Sequence, residues 1–274
     1  MQLRGARVLV TGASTGIGAA LAVALGAKGA TVALVARRKA LLDEVLDAAR
    51  QAGAGADSCV LAVDVGDSAA AERATVEIWD RLGGLDALVS NAAVSSRHTA
   101  PHLPYAEVER VMRINFLGPA SMACTLAPRM VERGAGALVF VGSIAGRLPS
   151  GGEAAYVASK YALAGFTETL AVDLAGSGVD VRLVTPGPFD TPIWDAGDAE
   201  PSHYAGPKHP PSVAAEAIVT VLEGVDRVET FVPADIASTV QMKNNDLDAW
   251  VAIAVDMVKQ ADARRHEAGQ TVAT

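Results

Sequence analysis

Short apolar runs rich in β-branched residues alternate along this chain with longer alanine-rich segments of helical periodicity. Because the runs are almost wholly apolar, they indicate parallel strands that are buried on both faces. The pattern predicts an α/β fold, a doubly wound parallel sheet in a Rossmann-like three-layer sandwich, with a single domain over residues 1–274. The predicted strands are 7–10, 31–36, 58–63, 86–90, 137–141 and 179–185.

Five of these strands are followed by a residue able to bind or position a ligand. In an open parallel sheet, ligands bind beyond the carboxyl ends of the strands. The sequence therefore predicts that five segments converge on one crevice. The residues at these ends are Gly12, Arg37, Asp64, Asn91 and Ser143.

The overall charge limits the class of partner. The 274 residues include 23 Lys and Arg against 31 Asp and Glu, a formal net charge of −8. Nucleic-acid binding needs a clustered positive field, and no such cluster is visible. We therefore expect a small-molecule partner and no nucleic acid.

Three further features bear on location and on metals. No apolar run reaches the ~20 residues that span a bilayer, and residues 1–5 lead into a strand rather than a signal peptide. Cys59 and Cys124 form no C-x-x-C pair, which fits a reducing compartment. The one i,i+4 histidine pair, His98 and His102, contains Pro101 and has no third ligand nearby. We expect a cytoplasmic protein with no membrane contact and no metal site.

A glycine-rich turn joins the first predicted strand to the first helix. Residues 11–18 read Thr-Gly-Ala-Ser-Thr-Gly-Ile-Gly, with the spacing G-x-x-x-G-x-G. Glycines let the backbone approach a pyrophosphate, whose charge is met by free N–H groups and the positive end of a helix. Taken alone, the turn is equally compatible with a tight connection that binds nothing.

Four residues in the middle of the chain, Asn115, Ser143, Tyr156 and Lys160, have the chemistry needed to reduce a carbonyl. A hydride that reaches a carbonyl carbon leaves charge on the oxygen, so a proton donor and an oxyanion-stabilising group are required. Tyr156 and Lys160 are four positions apart, so on a helix they share one face. Tyr156 can donate the proton, and we expect the Lys160 ammonium to lower its pKa from the usual ~10.

Together these motifs resemble the short-chain dehydrogenase/reductase family, in its single-domain branch, over residues 5–235. The resemblance is carried by the glycine-rich turn, the Tyr-x-x-x-Lys pair, the serine thirteen positions earlier (156 − 143), Ser90-Asn91-Ala92-Ala93 and Pro186-Gly187. The family usually has Asn-Asn-Ala-Gly at residues 90–93, so Ala93 replaces a glycine here.

The resemblance implies specific roles for several residues. Lys160 would also hold the nicotinamide ribose, Ser143 would hydrogen-bond the substrate oxygen, and Asn115 would position a water in a proton relay. The segment 186–191 would cover the nicotinamide through the Phe189 backbone and the Thr191 hydroxyl.

The end of the second predicted strand bears on the choice of cofactor. An acidic residue there would bind the ribose hydroxyls of NAD and repel a 2′-phosphate, but the residues are Ala36, Arg37 and Arg38. Guanidinium groups recognise phosphate, so we predict NADP(H) rather than NAD(H), with Arg37 as the principal contact and Ser14 as a helper. The alternative is two solvated arginines that begin a helix, a position that disfavours cations without an anion.

The other predicted cofactor contacts follow from the same resemblance. Asp64 and Val65 match the family position that meets the adenine, although Asp64 could instead cap the next helix. The predicted cofactor-binding residues are Gly12, Ser14, Thr15, Gly16, Ile17, Gly18, Arg37, Arg38, Asp64, Val65, Asn91, Ala92, Ala93, Tyr156, Lys160, Pro186, Gly187, Phe189 and Thr191.

Two segments near the C-terminus depart from a minimal domain. The proline-rich loop at 186–212 is a candidate substrate lid because a loop of this length in a compact domain is usually functional or disordered. Its aromatic residues suggest an apolar pocket, or equally an anchor for the loop itself. Many relatives end with a strand and Asp-Gly-Gly that help to build a tetramer, whereas residues 229–233 lead here into an amphipathic helical extension at 236–263. We expect a homodimer, through the Tyr156 helix and a helix over 104–131, or a homotetramer.

Two functional hypotheses follow. The first is an NADP(H)-dependent oxidoreductase that interconverts a carbonyl and a secondary alcohol by hydride transfer, with Tyr156 as general acid/base. The second is a non-catalytic dinucleotide-binding regulator or scaffold with the same fold. A sugar-nucleotide epimerase would need a larger C-terminal substrate region than this chain has.

Overall fold

The computed structural model describes residues 1–195 and 200–267. Within these ranges the chain forms a seven-stranded parallel sheet in the order β3-β2-β1-β4-β5-β6-β7. The predicted doubly wound α/β fold is confirmed. The strands are β1 Arg7–Thr11, β2 Thr31–Ala36, β3 Cys59–Ala62, β4 Ala87–Ser90, β5 Gly136–Val141, β6 Val179–Pro186 and β7 Glu229–Val232.

Helices cover both faces of the sheet. Alternate residues of each strand enter opposite layers: Val8 and Val10 pack with α1, α2 and α7, whereas Leu9 packs in the layer of α3, α5 and α6. This explains why the strands are apolar at nearly every position. The helices are α1 Gly16–Ala27, α2 Lys39–Ala52, α3 Ser68–Leu82, α4 Tyr105–Met112, α5 Gly118–Arg133, α6 Ala154–Asp173, α7 Pro211–Glu223, α8 Ile236–Asn245 and α9 Leu247–Glu267.

The predicted helix over 104–131 is wrong as a single α-helix. A π-helical turn, Arg113–Leu117, separates α4 from α5 and contains Asn115. Pro119, near the start of α5, has no N–H to bond the carbonyl four residues earlier, which is that of Asn115. The missing donor favours a local change from α-helical to π-helical bonding.

The predicted C-terminal extension is two helices rather than one. At Asp246 the backbone is extended, with φ −152° and ψ 99°, so α8 ends there and α9 begins at the next residue. In the part of the chain that the structure describes, no helix is long and apolar enough to cross a membrane. The predicted loop 186–212 includes residues 196–199, which lie outside the described residues.

Candidate active site

The site lies where the strand order reverses, between β1 and β4. Thr11, which is 1% exposed, accepts hydrogen bonds at Oγ1 from the N–H groups of Asn91 and Ala92, both at 3.0 Å. The Asn91 side-chain amide in turn donates to the carbonyls of Thr11 and Gly12, at 3.0 and 3.3 Å. Asn91 therefore fixes the glycine-rich turn against the end of β4. The importance of Thr11 was missed from the sequence, although it stands first in the turn motif.

The glycines of the turn permit a close approach of backbone segments. Gly12 has φ +65°, and a Cβ there would lie 2.7 Å from the Ala92 Cα. A Cβ on Gly18 would lie 2.4 Å from the Gly12 carbonyl oxygen. Helix α1 begins at Gly16, and the Thr15 side chain at its N-cap makes no capping hydrogen bond. The first N–H groups of α1 can therefore meet an anion, so the turn fits a pyrophosphate.

A cavity of about 1520 Å³ runs from this turn along the carboxyl ends of the strands. The predicted convergence of segments is therefore observed. The structure places all predicted site residues on its wall except Gly18, which packs behind the turn, and Asn115. The predicted residues that line it are Gly12, Ser14, Thr15, Gly16, Ile17, Arg37, Arg38, Asp64, Val65, Asn91, Ala92, Ala93, Ser143, Tyr156, Lys160, Pro186, Gly187, Phe189 and Thr191.

Arg38 rather than Arg37 contacts the glycine-rich turn. The Arg38 guanidinium donates from Nη2 to the hydroxyls of Ser14 and Thr15, at 3.2 Å each. Both arginines are exposed at the cavity wall, and helix α2 starts immediately after them with no acidic residue in its first turn. Two cations therefore stand at the position that faces the adenosine ribose in this fold.

Two open points of the cofactor motif are answered by local geometry. Asp64 does not cap α3; its Oδ1 accepts from the Gly66 N–H at 2.9 Å, and Asp67 caps the helix by accepting from the Ala70 N–H at 3.0 Å. No non-glycine residue in the described ranges has a positive φ, so Ala93 needs no glycine conformation.

Ser143, Tyr156 and Lys160 face the cavity beyond the turn. Ser143 follows β5, and its Oγ accepts from the Ala145 N–H at 3.1 Å. Tyr156 and Lys160 lie one helical turn apart on α6, with Nζ 5.8 Å from the centre of the Tyr156 ring. Lys160 is 2% exposed and donates from Nζ to the Val141 carbonyl at 3.0 Å, at the end of β5.

The pKa values of Tyr156 and Lys160 are both shifted by burial, which the sequence did not predict. Burial raises the pKa of Tyr156 to about 12; the Ser143 hydroxyl opposes this increase and the Glu153 charge adds to it. Burial lowers the pKa of Lys160 to about 8. The expected decrease in the tyrosine pKa is therefore wrong for the protein's own groups, because desolvation outweighs the opposing hydrogen bond from Ser143.

Asn115 is fully buried and its side chain is already used. Its Oδ1 accepts from the Val94 N–H, and its Nδ2 donates to the Val94 carbonyl, both at 2.9 Å. Nδ2 also donates to the Ser159 hydroxyl at 3.0 Å. The side chain therefore joins the π-turn to the β4–α4 loop and to α6.

Several residues at the far end of the cavity were not predicted as site residues. Glu153 lies one turn before Tyr156 on its wall, and Trp250, Ala254 and Val258 reach it from α9. The i,i+3 spacing of Glu153 and Tyr156 was a usable signal. The sequence held no comparable signal for the α9 residues, because the docking of α9 depends on contacts with residues that are distant in sequence. Among the described residues, no group of three or more His, Cys, Asp or Glu could hold a metal ion.

Comparison with known proteins identifies the family. A family model described as short chain dehydrogenase matches residues 6–201. Dehydrogenase/reductase SDR family member 7B of Rattus norvegicus is 34% identical over 207 residues, which cover 74% of this chain and 64% of that protein. An uncharacterized oxidoreductase of Myxococcus xanthus is 39% identical over 179 residues, covering 65% of this chain and 70% of that one.

The fold has close matches among solved structures. A short chain dehydrogenase/reductase of Burkholderia phymatum, in complex with NAD, superposes with a TM-score of 0.81 at 24% identity over 91% of this chain and 96% of its own. The chain belongs to the short-chain dehydrogenase/reductase family of oxidoreductases, and the predicted family is confirmed. The chain aligns with a little under two thirds of the length of the rat relative.

Proposed function

We propose that the protein is an NADP(H)-dependent oxidoreductase that interconverts a carbonyl and a secondary alcohol. The observation that carries this proposal is that one cavity has the glycine-rich turn at one end and Ser143, Tyr156 and Lys160 at the other. NADPH, when bound, supplies a hydride to the carbonyl carbon. A reducing, cytoplasmic location is part of the proposal, because Cys59 and Cys124 are both free thiols.

Tyr156 acts as the general acid in the reductive direction. With its pKa raised to about 12, the phenol is protonated near neutral pH and can donate its proton to the developing alkoxide, which is more basic. The Ser143 hydroxyl stabilises charge on the same oxygen. The raised pKa keeps the tyrosine in the protonated form that the reductive direction needs.

Lys160 and Asn115 support this step from inside the protein. A lysine ammonium has three N–H donors, of which the Val141 carbonyl takes one, so two remain to hold ribose hydroxyls at the cavity wall. Because both amide donors of Asn115 are used, we infer that a relay water would bind to main-chain atoms of the π-turn rather than to this side chain.

Replacing Tyr156 with phenylalanine tests the proposed mechanism. We expect Tyr156→Phe to reduce turnover by about 10²- to 10⁴-fold, because the general acid is lost, while the affinity for NADPH changes little. The measurement is NADPH oxidation over a panel of ketones and aldehydes, with NADPH binding followed by fluorescence. Tyr161→Phe is the matched control, since Tyr161 lies on the exposed side of the same helix and should leave turnover unchanged. Binding of NADPH without turnover on any carbonyl would instead favour the regulator or scaffold.

Replacing the two arginines tests the cofactor preference. We expect Arg38→Ala to raise KM for NADPH by about 10- to 100-fold, the effect of losing a charge-assisted hydrogen bond, with a smaller increase for Arg37→Ala and little change for NADH. Lys39→Ala is the control, because Lys39 pairs with Asp43 on the outer side of α2. An unmodified enzyme that prefers NADH would overturn the assignment of NADP(H).

A further inference from the structure

The cavity continues past Tyr156 into a second part, which we call the substrate compartment. Its walls come from segments that follow the nucleotide-binding half of the chain. Leu148 enters from the segment after β5, Trp194 from the loop after β6, Ile236 from α8 and Trp250 from α9. These four side chains are large and apolar, and His98, Arg110, His203 and Arg264 line the same cavity.

Three contacts of Trp194 hold the loop side of the compartment in place. The Trp194 indole donates from Nε1 to the Phe189 carbonyl at 2.6 Å. Its ring stacks on Tyr204 with centroids 5.9 Å apart, and the Lys208 ammonium lies 4.4 Å from its centroid. Trp194 therefore presents a fixed apolar surface to the cavity rather than a mobile side chain.

Helix α9 is attached to the catalytic segment through a small apolar cluster. Trp250 packs there with Leu148 and Val240, and Ile144 lies against the same cluster. Since Ile144 follows Ser143 directly, this cluster joins the α8–α9 pair to the segment that carries the catalytic serine.

The loop is also joined to α9 by polar contacts. Arg265 donates from Nη1 to the Pro201 carbonyl at 3.1 Å, and His203 lies 3.7 Å from the Asp262 carboxylate. Helix α9 and the loop after β6 thus form one connected part of the compartment wall.

We propose that the substrate compartment selects carbonyl compounds with a long or bulky apolar body, and that the inner face of α9 sets the size limit. The carbonyl in this proposal rests on the proposed oxidoreductase function. Size selection itself is a property of the compartment and can be measured without turnover.

A series of ketones tests the substrate class. Each methylene that leaves water contributes about 0.8 kcal/mol, or about a fourfold gain, so we expect kcat/KM for 2-octanone to exceed that for 2-butanone by about 100-fold or more. Equal turnover of the two ketones would overturn the proposal.

A substitution on α9 tests the size limit. Ala254→Trp adds bulk to the inner face, and we expect it to lower kcat/KM for 2-octanone at least tenfold while that for 2-butanone stays within about threefold. Val255→Trp is the matched control, because Val255 is 45% exposed on the outer side. If Ala254→Trp unfolds by circular dichroism, Ala254→Leu replaces it with the same expected direction. An equal decrease in kcat/KM for both ketones would show that α9 does not set the size limit of the substrate.

Direct binding separates this inference from the proposed function. Trp194 and Trp250 are two of the three tryptophans, so quenching of their fluorescence should report 2-octanone binding. If no carbonyl is turned over but 2-octanone binds more tightly than 2-butanone, and Ala254→Trp removes the difference, the catalytic proposal fails while the compartment stands. If the two ketones bind equally, the compartment proposal fails.

Discussion

At the scale of single residues, the buried charge of Lys160 lowers the stability of the fold. Its ammonium is 2% exposed and has no carboxylate partner among the residues that the structure describes. Burial lowers its pKa from 10.5 to about 8, so keeping the charge near neutral pH costs about 3 kcal/mol of folding free energy. Because the pKa of Lys160 is lower in the folded protein than in the unfolded chain, the charged lysine destabilises the fold at pH values below about 8. This cost disappears as the pH rises from about 8 to 10.5.

Replacing this lysine with methionine should therefore stabilise the protein while abolishing turnover. We expect Lys160→Met to gain about 1–2 kcal/mol at pH 7, since the relief of the buried charge exceeds the lost hydrogen bond to Val141, worth about 1–3 kcal/mol with its acceptor left unpaired. Urea unfolding at pH 7 and at pH 10.5 measures the effect. The gain should vanish or reverse at the higher pH, and a gain independent of pH would contradict this account.

At the scale of elements, the strands that meet at the switch point are also joined at their opposite ends. Arg7 at the start of β1 binds the Asp86 carboxylate before β4 through two guanidinium bonds, at 2.8 and 2.9 Å, and through its backbone N–H at 2.8 Å. Burial alone would raise the pKa of Asp86, but the Arg7 hydrogen bonds and the Arg7 and Arg133 charges together lower it. The pair fixes the register in which Val8 lies beside Ala87.

Loss of this carboxylate should weaken the whole sheet. We expect Asp86→Asn to cost about 1–3 kcal/mol at pH 7, the range for a charge-assisted hydrogen bond in a partly buried site. Because the folded pKa of Asp86 is lowered, its contribution is present above the unfolded value of ~3.9 and is lost as pH falls below it.

Denaturant unfolding of both forms at pH 7 and at acid pH measures this difference. Asp180→Asn is the control, because Asp180 forms a solvent-exposed ion pair with Arg182 on the same strand. A cost for Asp86→Asn that does not shrink at acid pH would argue against the ion pair as its source.

At the scale of the whole molecule, helix α6 exposes several apolar residues. Ala158, Tyr161, Gly165 and Val172 are exposed, Val172 to 76%, beside the exposed polar residues Glu168, Thr169 and Asp173. Exposed apolar side chains that lie together can mark an interface between proteins. We therefore keep the prediction that α6, together with residues 104–131, forms the interface of a homodimer with two-fold symmetry.

Gly165→Glu tests this interface without disturbing the monomer. A Cβ at Gly165 would meet nothing within 4 Å, and glutamate is the better helix former, so the chain itself should fold at least as well. Two glutamates facing each other across the two-fold axis would repel. We expect the unmodified protein to have twice the chain mass of 28.0 kDa or more by light scattering, and the variant to have the mass of one chain.

Thr220→Glu, on the exposed side of α7 across the sheet, is the control for added charge. It should leave the mass unchanged. A variant at position 165 that keeps the wild-type mass would place the interface elsewhere.

The sequence determined the features that depend on short-range pattern. Continuous apolar runs define buried parallel strands, and six of the seven strands were predicted to within a residue or two. The seventh, β7, lies at the edge of the sheet and is only half-buried, so its apolar signal is weak. Most of the candidate site residues line one cavity because turns and helices place residues by fixed spacing, and because strand ends converge in this fold.

Tertiary structure decided what depends on distant neighbours. The pKa of Tyr156 is set by burial among segments far apart in the chain, so its direction could not be inferred from the spacing to Lys160. The contact of Arg38 with Ser14 joins two separate strand ends, and the docking of Trp250 beside Leu148 adds α9 to the wall of the substrate compartment. Local pattern fixes which elements form and where a motif falls within them. Desolvation, charge and packing act through space, so the chemistry of the site emerges only when the chain is folded.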